Sequence, residues 1–237
     1  MTSATWNAGL AGNSPLLHAR VTGLVGVLML AAGSAAGFVA SRLVVRDDIA
    51  TTSSNIVAFE ALFKLGIVAS LVMMIAFLFY GALLYRLLRH VDATHALIMV
   101  GLVLASVPLY MLNQVHQFAA LPLAAARADE QLKLFLELHR FGNLVAAIFF
   151  GLWLFPFGLL VYRSGFFPRV LGALLVIGSL GYLVLFAQGL FFPGSERTLW
   201  GNPLLVITHV SELAMMVWLL IRGVDVKKWE QRARGVI

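Results

Sequence analysis

Six stretches of about twenty or more mostly apolar residues run along this chain, and its charged residues gather between them. A helix needs about 20 such residues to cross the ~30 Å hydrocarbon core of a bilayer. In lipid every backbone amide and carbonyl must find its partner inside the protein, so runs of this kind are constrained to be helices. They fall at about 21–45, 59–88, 95–122, 129–163, 168–192 and 203–221. The fourth is apolar only from Leu144, and its helix is expected to begin earlier, near Asp129. The expected fold class is all-α: a polytopic transmembrane helical bundle with six spans. The chain reads as a single transmembrane domain over 1–237, with a polar N-terminal segment at 1–20 and a basic C-terminal tail at 222–237. That polar segment, and the length of the first run, argue for a retained span rather than a cleaved signal peptide.

Composition removes the soluble alternative. Only 12% of the 237 residues are charged and 61% are hydrophobic, against roughly 25% charged in soluble domains. The net charge of +6 raises the question of nucleic acid. The basic residues sit at the ends of apolar runs, where they anchor and orient helices in a membrane, so the expected partner is the lipid bilayer and not nucleic acid. The absence of cysteine excludes disulfides, thiolate metal sites and cysteine nucleophiles.

The breaks between runs carry turn and capping chemistry. Arg46-Asp47-Asp48 leads into Thr51-Thr52-Ser53-Ser54-Asn55, read as a polar loop with a helix cap near its end. Ser164-Gly165 is a turn, and Pro168 suits the first turn of the next helix. Asn202 is placed to cap the last span, which Pro203 opens. Six spans put both termini on one side. That side carries 10 of the 17 Lys and Arg, which places the termini in the cytoplasm of a multi-pass cell-membrane protein. Gly33-x-x-x-Gly37, Gly172, Gly178 and Gly181 are expected to let helices pack closely. Pro108 and Pro156 are expected to kink spans three and four. The basic tail Lys227–Arg234, with its single Trp229, is expected to lie on anionic headgroups.

Several segments resemble one family. They are Tyr162-Arg163-Ser164-Gly165-Phe166-Phe167-Pro168-Arg169-Val170-Leu171-Gly172, Glu60-Ala61-Leu62-Phe63-Lys64-Leu65-Gly66, the pair Leu138-His139 before a long apolar run, and Glu212 early in the last helix. Together they are similar to the bacterial membrane family catalogued as domain of unknown function 4386, whose members often carry Arg where Lys64 stands. The resemblance runs from about Arg20 to Val224. It implies a polytopic membrane protein and attaches no activity.

Polar residues inside spans usually face the bundle or water, because facing lipid is expensive. Four helices carry them. Glu60 and Lys64 share a face of span two, in the order that favours an ion pair. Asn113, His116 and Gln117 share a face of span three. Span four pairs Glu137 with Arg140 and His139 with Asn143, and span six groups Thr208, His209 and Glu212. All four sets fall in the half of the bilayer away from the termini. Glu212 is the deepest: about nine residues into its helix is roughly 14 Å at 1.5 Å per residue, near mid-membrane. A carboxyl there must be paired, neutral or solvated by a cavity. Glu60, Lys64, Glu137 and Arg140 also fit a plainer role as headgroup-level helix ends, and His116 and His139 fit structural interhelical hydrogen bonds. Imidazoles and a carboxylate are zinc and iron ligands, so His116, His139, His209 and Glu212 are weak metal candidates, and two of the histidines are haem-ligand types. No spacing motif supports that chemistry, and no cofactor is named by any motif. Spans one and five, almost free of charge, read as scaffold.

Two functions fit. One is a small-molecule or lipid site, in a transporter or an intramembrane enzyme, lined by Glu60, Lys64, Asn113, His116, His139, Asn143, His209 and Glu212. The other is a non-catalytic membrane sensor or subunit acting through protein partners.

Overall fold

The computed structural model describes residues 14–45, 47–192 and 202–236. These residues are helical throughout their ordered elements, with no strand among them: α1 (Pro15–Leu43), α2 (Ile49–Ala58), α3 (Glu60–Leu88), α4 (Ala93–Asn113), α5 (Val115–Ala125), α6 (Asp129–Arg163), α7 (Arg169–Phe191), α8 (Pro203–Ile221) and α9 (Val226–Ala233). Six spans are long and apolar enough to cross a membrane: α1, α3, α4 with α5, α6, α7 and α8. The chain is an all-α transmembrane bundle with six spans.

The element starts and breaks show where side chains override the apolar pattern. The first helix begins at Pro15, ahead of the expected start of the span, and its first turns dock on the bundle. His18 donates from Nε2 to the Leu83 carbonyl of α3 at 3.1 Å, and Ala19 is fully buried. The polar stretch after Asp48 is not a loop. The Asp48 carboxylate accepts the Thr51 amide at 2.9 Å and caps α2. The hydroxyl and then the amide of Thr51 hold that carboxyl below its ordinary value of 3.8, so the cap stays charged at neutral pH. Inside α2 the polar side chains find carbonyl acceptors, Ser53 on Ala124 at 3.2 Å and Asn55 on Leu43 at 3.2 Å. Asn202 caps α8 as expected, accepting the Leu205 amide at 3.0 Å.

Span three breaks at Gln114 rather than at Pro108, through which α4 runs on to Asn113. The Gln117 amide bonds the Gln114 carbonyl at 2.9 Å instead of reaching back a full helical turn. That leaves the Asn113 carbonyl free for other donors. Pro156 leaves α6 continuous from Asp129 to Arg163.

Apolar packing divides into two clusters. The larger one, on the terminal side, includes Tyr80, Leu84, Leu154, Phe157 and Leu175. The smaller one, at the α2 end, includes Ile56, Phe63, Ile67, Ala124 and Leu132. Between them along α3, α4 and α6 lie Ser70, Asn113, His139 and Asn143. The basic tail forms α9, and Trp229 ties it to the bundle by donating from Nε1 to the Leu87 carbonyl at 3.0 Å. Lys227 and Lys228 stay exposed.

Glycines set the closest helix approaches. A Cβ on Gly172 would stand 2.4 Å from the Tyr162 amide nitrogen of α6, and one on Gly181 would stand 2.7 Å from the Leu204 carbonyl carbon of α8. Gly178 faces Thr208 in the same way. The Gly33–Gly37 pair does not form such a seam, since a Cβ on Gly37 would meet nothing within 4 Å. Gly23 takes that role for α1, with the Leu220 amide nitrogen 2.5 Å from its Cβ position. Gly172→Ala should therefore lower stability by about 1–3 kcal/mol, the usual range for overpacking, whereas Gly37→Ala should be neutral. Thermal unfolding of both variants in the same detergent checks the contrast.

Candidate functional site

The freed carbonyl of Asn113 organises a polar network across α4, α5 and α6. The carbonyl accepts His116 Nδ1 at 3.1 Å and His139 Nδ1 at 3.2 Å. The Asn113 side-chain amide donates to the His139 carbonyl at 2.8 Å and to Asn143 Oδ1 at 2.9 Å, while its oxygen accepts His116 Nδ1 at 2.9 Å. Gly142 makes this approach possible: a Cβ there would stand 2.0 Å from Asn113 Oδ1. The network fixes the His139 tautomer. Its Nε2 is met by amide nitrogens of Gln117 at 2.7 Å and Asn143 at 3.1 Å, both donors, so Nε2 accepts and Nδ1 carries the hydrogen.

Beside this network lies a cavity of about 630 Å³ between α1, α2, α3, α5 and α6. His139, Asn143 and Gln117 line it, together with Lys133, Glu137 and Arg140. Arg140 and Glu137 pair at 2.9 Å. A second, smaller chamber of about 300 Å³ holds Glu212 and His209 in its wall. The two hollows occupy consecutive turns of shared helices. On α1, Ala36 and Gly37 face the larger and Gly33 and Ser34 the smaller; on α3, Ser70 faces the larger and Met73 the smaller.

Within the chamber the Tyr182 hydroxyl donates to Glu212 Oε2 at 3.2 Å. His209 donates from Nδ1 to the Leu205 carbonyl at 2.8 Å, and its ring meets the Tyr182 ring edge-on at 6.1 Å. Apart from Ser34, the remaining wall is apolar and aromatic, with Phe77, Phe150 and Trp153 among its members. Among the described residues Glu212 makes no ion pair.

The single cluster expected from sequence is thus two sites. Asn113, His116, His139 and Asn143 come together, as do His209 and Glu212. Glu60 and Lys64 join neither group: they pair with each other on α3, have side chains more than half exposed, and line neither cavity. Thr208 lines neither hollow: its hydroxyl bonds the Gly178 carbonyl of α7 and the Leu204 carbonyl of its own helix, the latter at 2.9 Å. The weak metal candidates do not converge either. Among the described residues no group of three or more His, Cys, Asp or Glu is close enough to hold a metal ion, and both ring nitrogens of His139 are taken by hydrogen bonds. Spans one and five are more than scaffold, since α1 lines both hollows and α7 supplies Tyr182. The signal missed in the sequence was a phenol inside an otherwise apolar run.

Fold and hollows define a polytopic helical membrane protein with polar groups held inside its bundle. The chain belongs to the family described as Domain of unknown function (DUF4386), whose family model matches residues 21–223. An uncharacterized protein of Archaeoglobus fulgidus is 40% identical over 76 residues, which make up 32% of this chain and 43% of that protein. The chain thus matches less than half the length of that relative. No solved structure gives a significant match.

Removing one centre of the network should unsatisfy several buried groups at once. Asn113→Ala should lower stability by about 1–3 kcal/mol. Gly142→Ala should be destabilising in the native background and much milder when Asn113 is already Ala, because its clash is with that side chain. A double-mutant cycle read by thermal unfolding measures this coupling.

Proposed function

We propose that this protein binds a small molecule or lipid inside its bundle and carries it, as a transporter, through the larger cavity to the Glu212 chamber. The observation that carries the reading is Glu212 itself. It is a carboxyl in mid-span whose partner is a tyrosine hydroxyl, at the wall of a hollow of about 300 Å³. Ionisable groups at this depth are expensive, and they mark ligand or ion pathways more often than packing. Membrane transporters also place their sites near the bilayer midplane. With both termini in the cytoplasm, as the distribution of basic residues favours, the larger cavity faces outward. Lys133, Glu137 and Arg140 then stand near its mouth, and His139 and Asn143 lie between that mouth and the chamber.

The cysteine-free chain suits a direct test. Single cysteines replace Ala40 in the larger cavity and Ser34 in the chamber, in protein reconstituted into vesicles. A membrane-impermeant thiosulfonate should modify both, Ala40→Cys faster, and from the α2 face. Reaction at Ala40→Cys with none at Ser34→Cys from either face would defeat the proposed path. Glu212→Gln and His209→Ala should leave assembly and the melting profile intact, whereas failure of both variants to assemble would make the site structural.

A further inference from the structure

We propose that the Glu212 chamber selects a lipophilic amine and holds it as an ammonium ion. The inference rests on the transport reading above and names the ligand class of the same site. The charge pattern of the wall is its first support. Among the described residues Glu212 is the acidic group there, and no Lys or Arg lines the chamber from α1, α3, α6, α7 or α8. An anion would meet the carboxyl without a compensating cation, while an ammonium adds the positive charge that Glu212, hydrogen-bonded to Tyr182, does not meet among the described residues. The Coulombic attraction within a charge pair is stronger away from water than at a surface.

The second support is the rest of the lining. Phe77, Phe150, Trp153 and Tyr182 bring four aromatic rings to one hollow. Phe77 and Trp153 meet edge to face at 5.0 Å and 73°, and Phe150 and Tyr182 are tilted at 5.8 Å and 57°. Aromatic rings lining a hollow attract a desolvated cation that reaches their electron-rich faces. Met29, Met73, Met74 and Met216 complete the wall with flexible, polarisable thioethers that adapt to alkyl groups of differing shape. His209, its Nδ1 already donating to Leu205, keeps Nε2 as an acceptor for an N–H donor.

Size and access agree. A hollow of about 300 Å³ suits one compact amphiphile and lies at the small end of the ~300–1,000 Å³ range of ligand pockets. α1 and α8 touch where Gly23 meets Leu220 and Gly26 meets Met216. Beyond those contacts the chamber lies between the same two helices, and His209 on α8 is exposed, so a lipophilic ligand has a lateral route from the bilayer as well as the path from the larger cavity.

Full-length protein in lipid nanodiscs is titrated calorimetrically with tetrabutylammonium and with tetrabutylborate, ions of one shape and opposite charge. The native chain should bind the ammonium at least tenfold more tightly than the borate. Glu212→Gln should weaken ammonium binding by roughly 10- to 100-fold, the scale of a lost charged interaction. Glu212→Asp, which keeps the charge, should retain part of it, and Trp153→Leu should weaken it less than Glu212→Gln does. Equal binding of the two ions, or unchanged affinity in Glu212→Gln, overturns the inference. Absence of binding by either ion overturns it too. If Ser34→Cys is still modified from the α2 face in that case, the transport reading survives without the amine; if Ser34→Cys is inert as well, both fall.

Discussion

Asn113 holds three helical segments at one level through a carbonyl that helix geometry has released. Had α4 continued without interruption, that oxygen would have been spent on the Gln117 amide. Instead it takes two imidazole hydrogens, while the Asn113 amide reaches across to His139 and Asn143. Buried polar groups in lipid have no water to fall back on, so a network of this kind stands only if its members are satisfied together. It lies between two apolar clusters, one on each side along the spans. The rest of the interior is arranged around that band: the larger cavity opens beside it, and the Glu212 chamber lies a turn or two beyond.

The same constraint explains the division of labour among the helices. Where close backbone approach is required, glycine supplies it, as at Gly172 and Gly181 on α7 and Gly142 beneath Asn113. Where the helices diverge, polar side chains line the space. α7 is tightly packed against α6 and α8 through its glycines, yet it carries Tyr182 to the chamber, so one helix serves both tasks. The amphipathic α9 closes the opposite end, with Trp229 docked on the end of α3 and lysines turned outward.

Much of the fold was legible in the sequence because lipid imposes a length and a polarity on every span. The six spans, the Asn202 cap and the turn at Ser164-Gly165 follow from local pattern, and Gly165 indeed takes a positive φ of 76°. The helical run after Asp48 was not legible, because its hydroxyls and amide look like loop chemistry until Ala124 and Leu43 are placed beside them. The break at Gln114 was hidden for the same reason: Pro108 is the stronger local signal, and the carbonyl acceptors that favour the break come from a distant helix. Within the site, Asn113 with His116 and Gln117, and His139 with Asn143, were legible as two sets through helical spacing, and only their similar depth pointed to a meeting across helices. Spacing along one helix says nothing of which cavity a residue faces, and so Glu60, Lys64 and Thr208 were grouped with residues that line hollows they do not. Tyr182 was lost because a lone phenol in an apolar run reads as packing.

What remains distinctive is a carboxyl in mid-span, next to a hollow and hydrogen-bonded to a phenol. The most direct measurement is modification of the native protein in membranes by a lipophilic carbodiimide, which adds a carboxyl across its C=N bond to leave a stable acylurea that peptide mass spectrometry locates. The account predicts adduct at Glu212, diminished when tetrabutylammonium is present, with little at the interfacial Glu60 and Glu137. Adduct at Glu60 and Glu137 with none at Glu212 would contradict it, because the carboxyl would then be sealed within the packing rather than set at a chamber that a lipophilic molecule can reach.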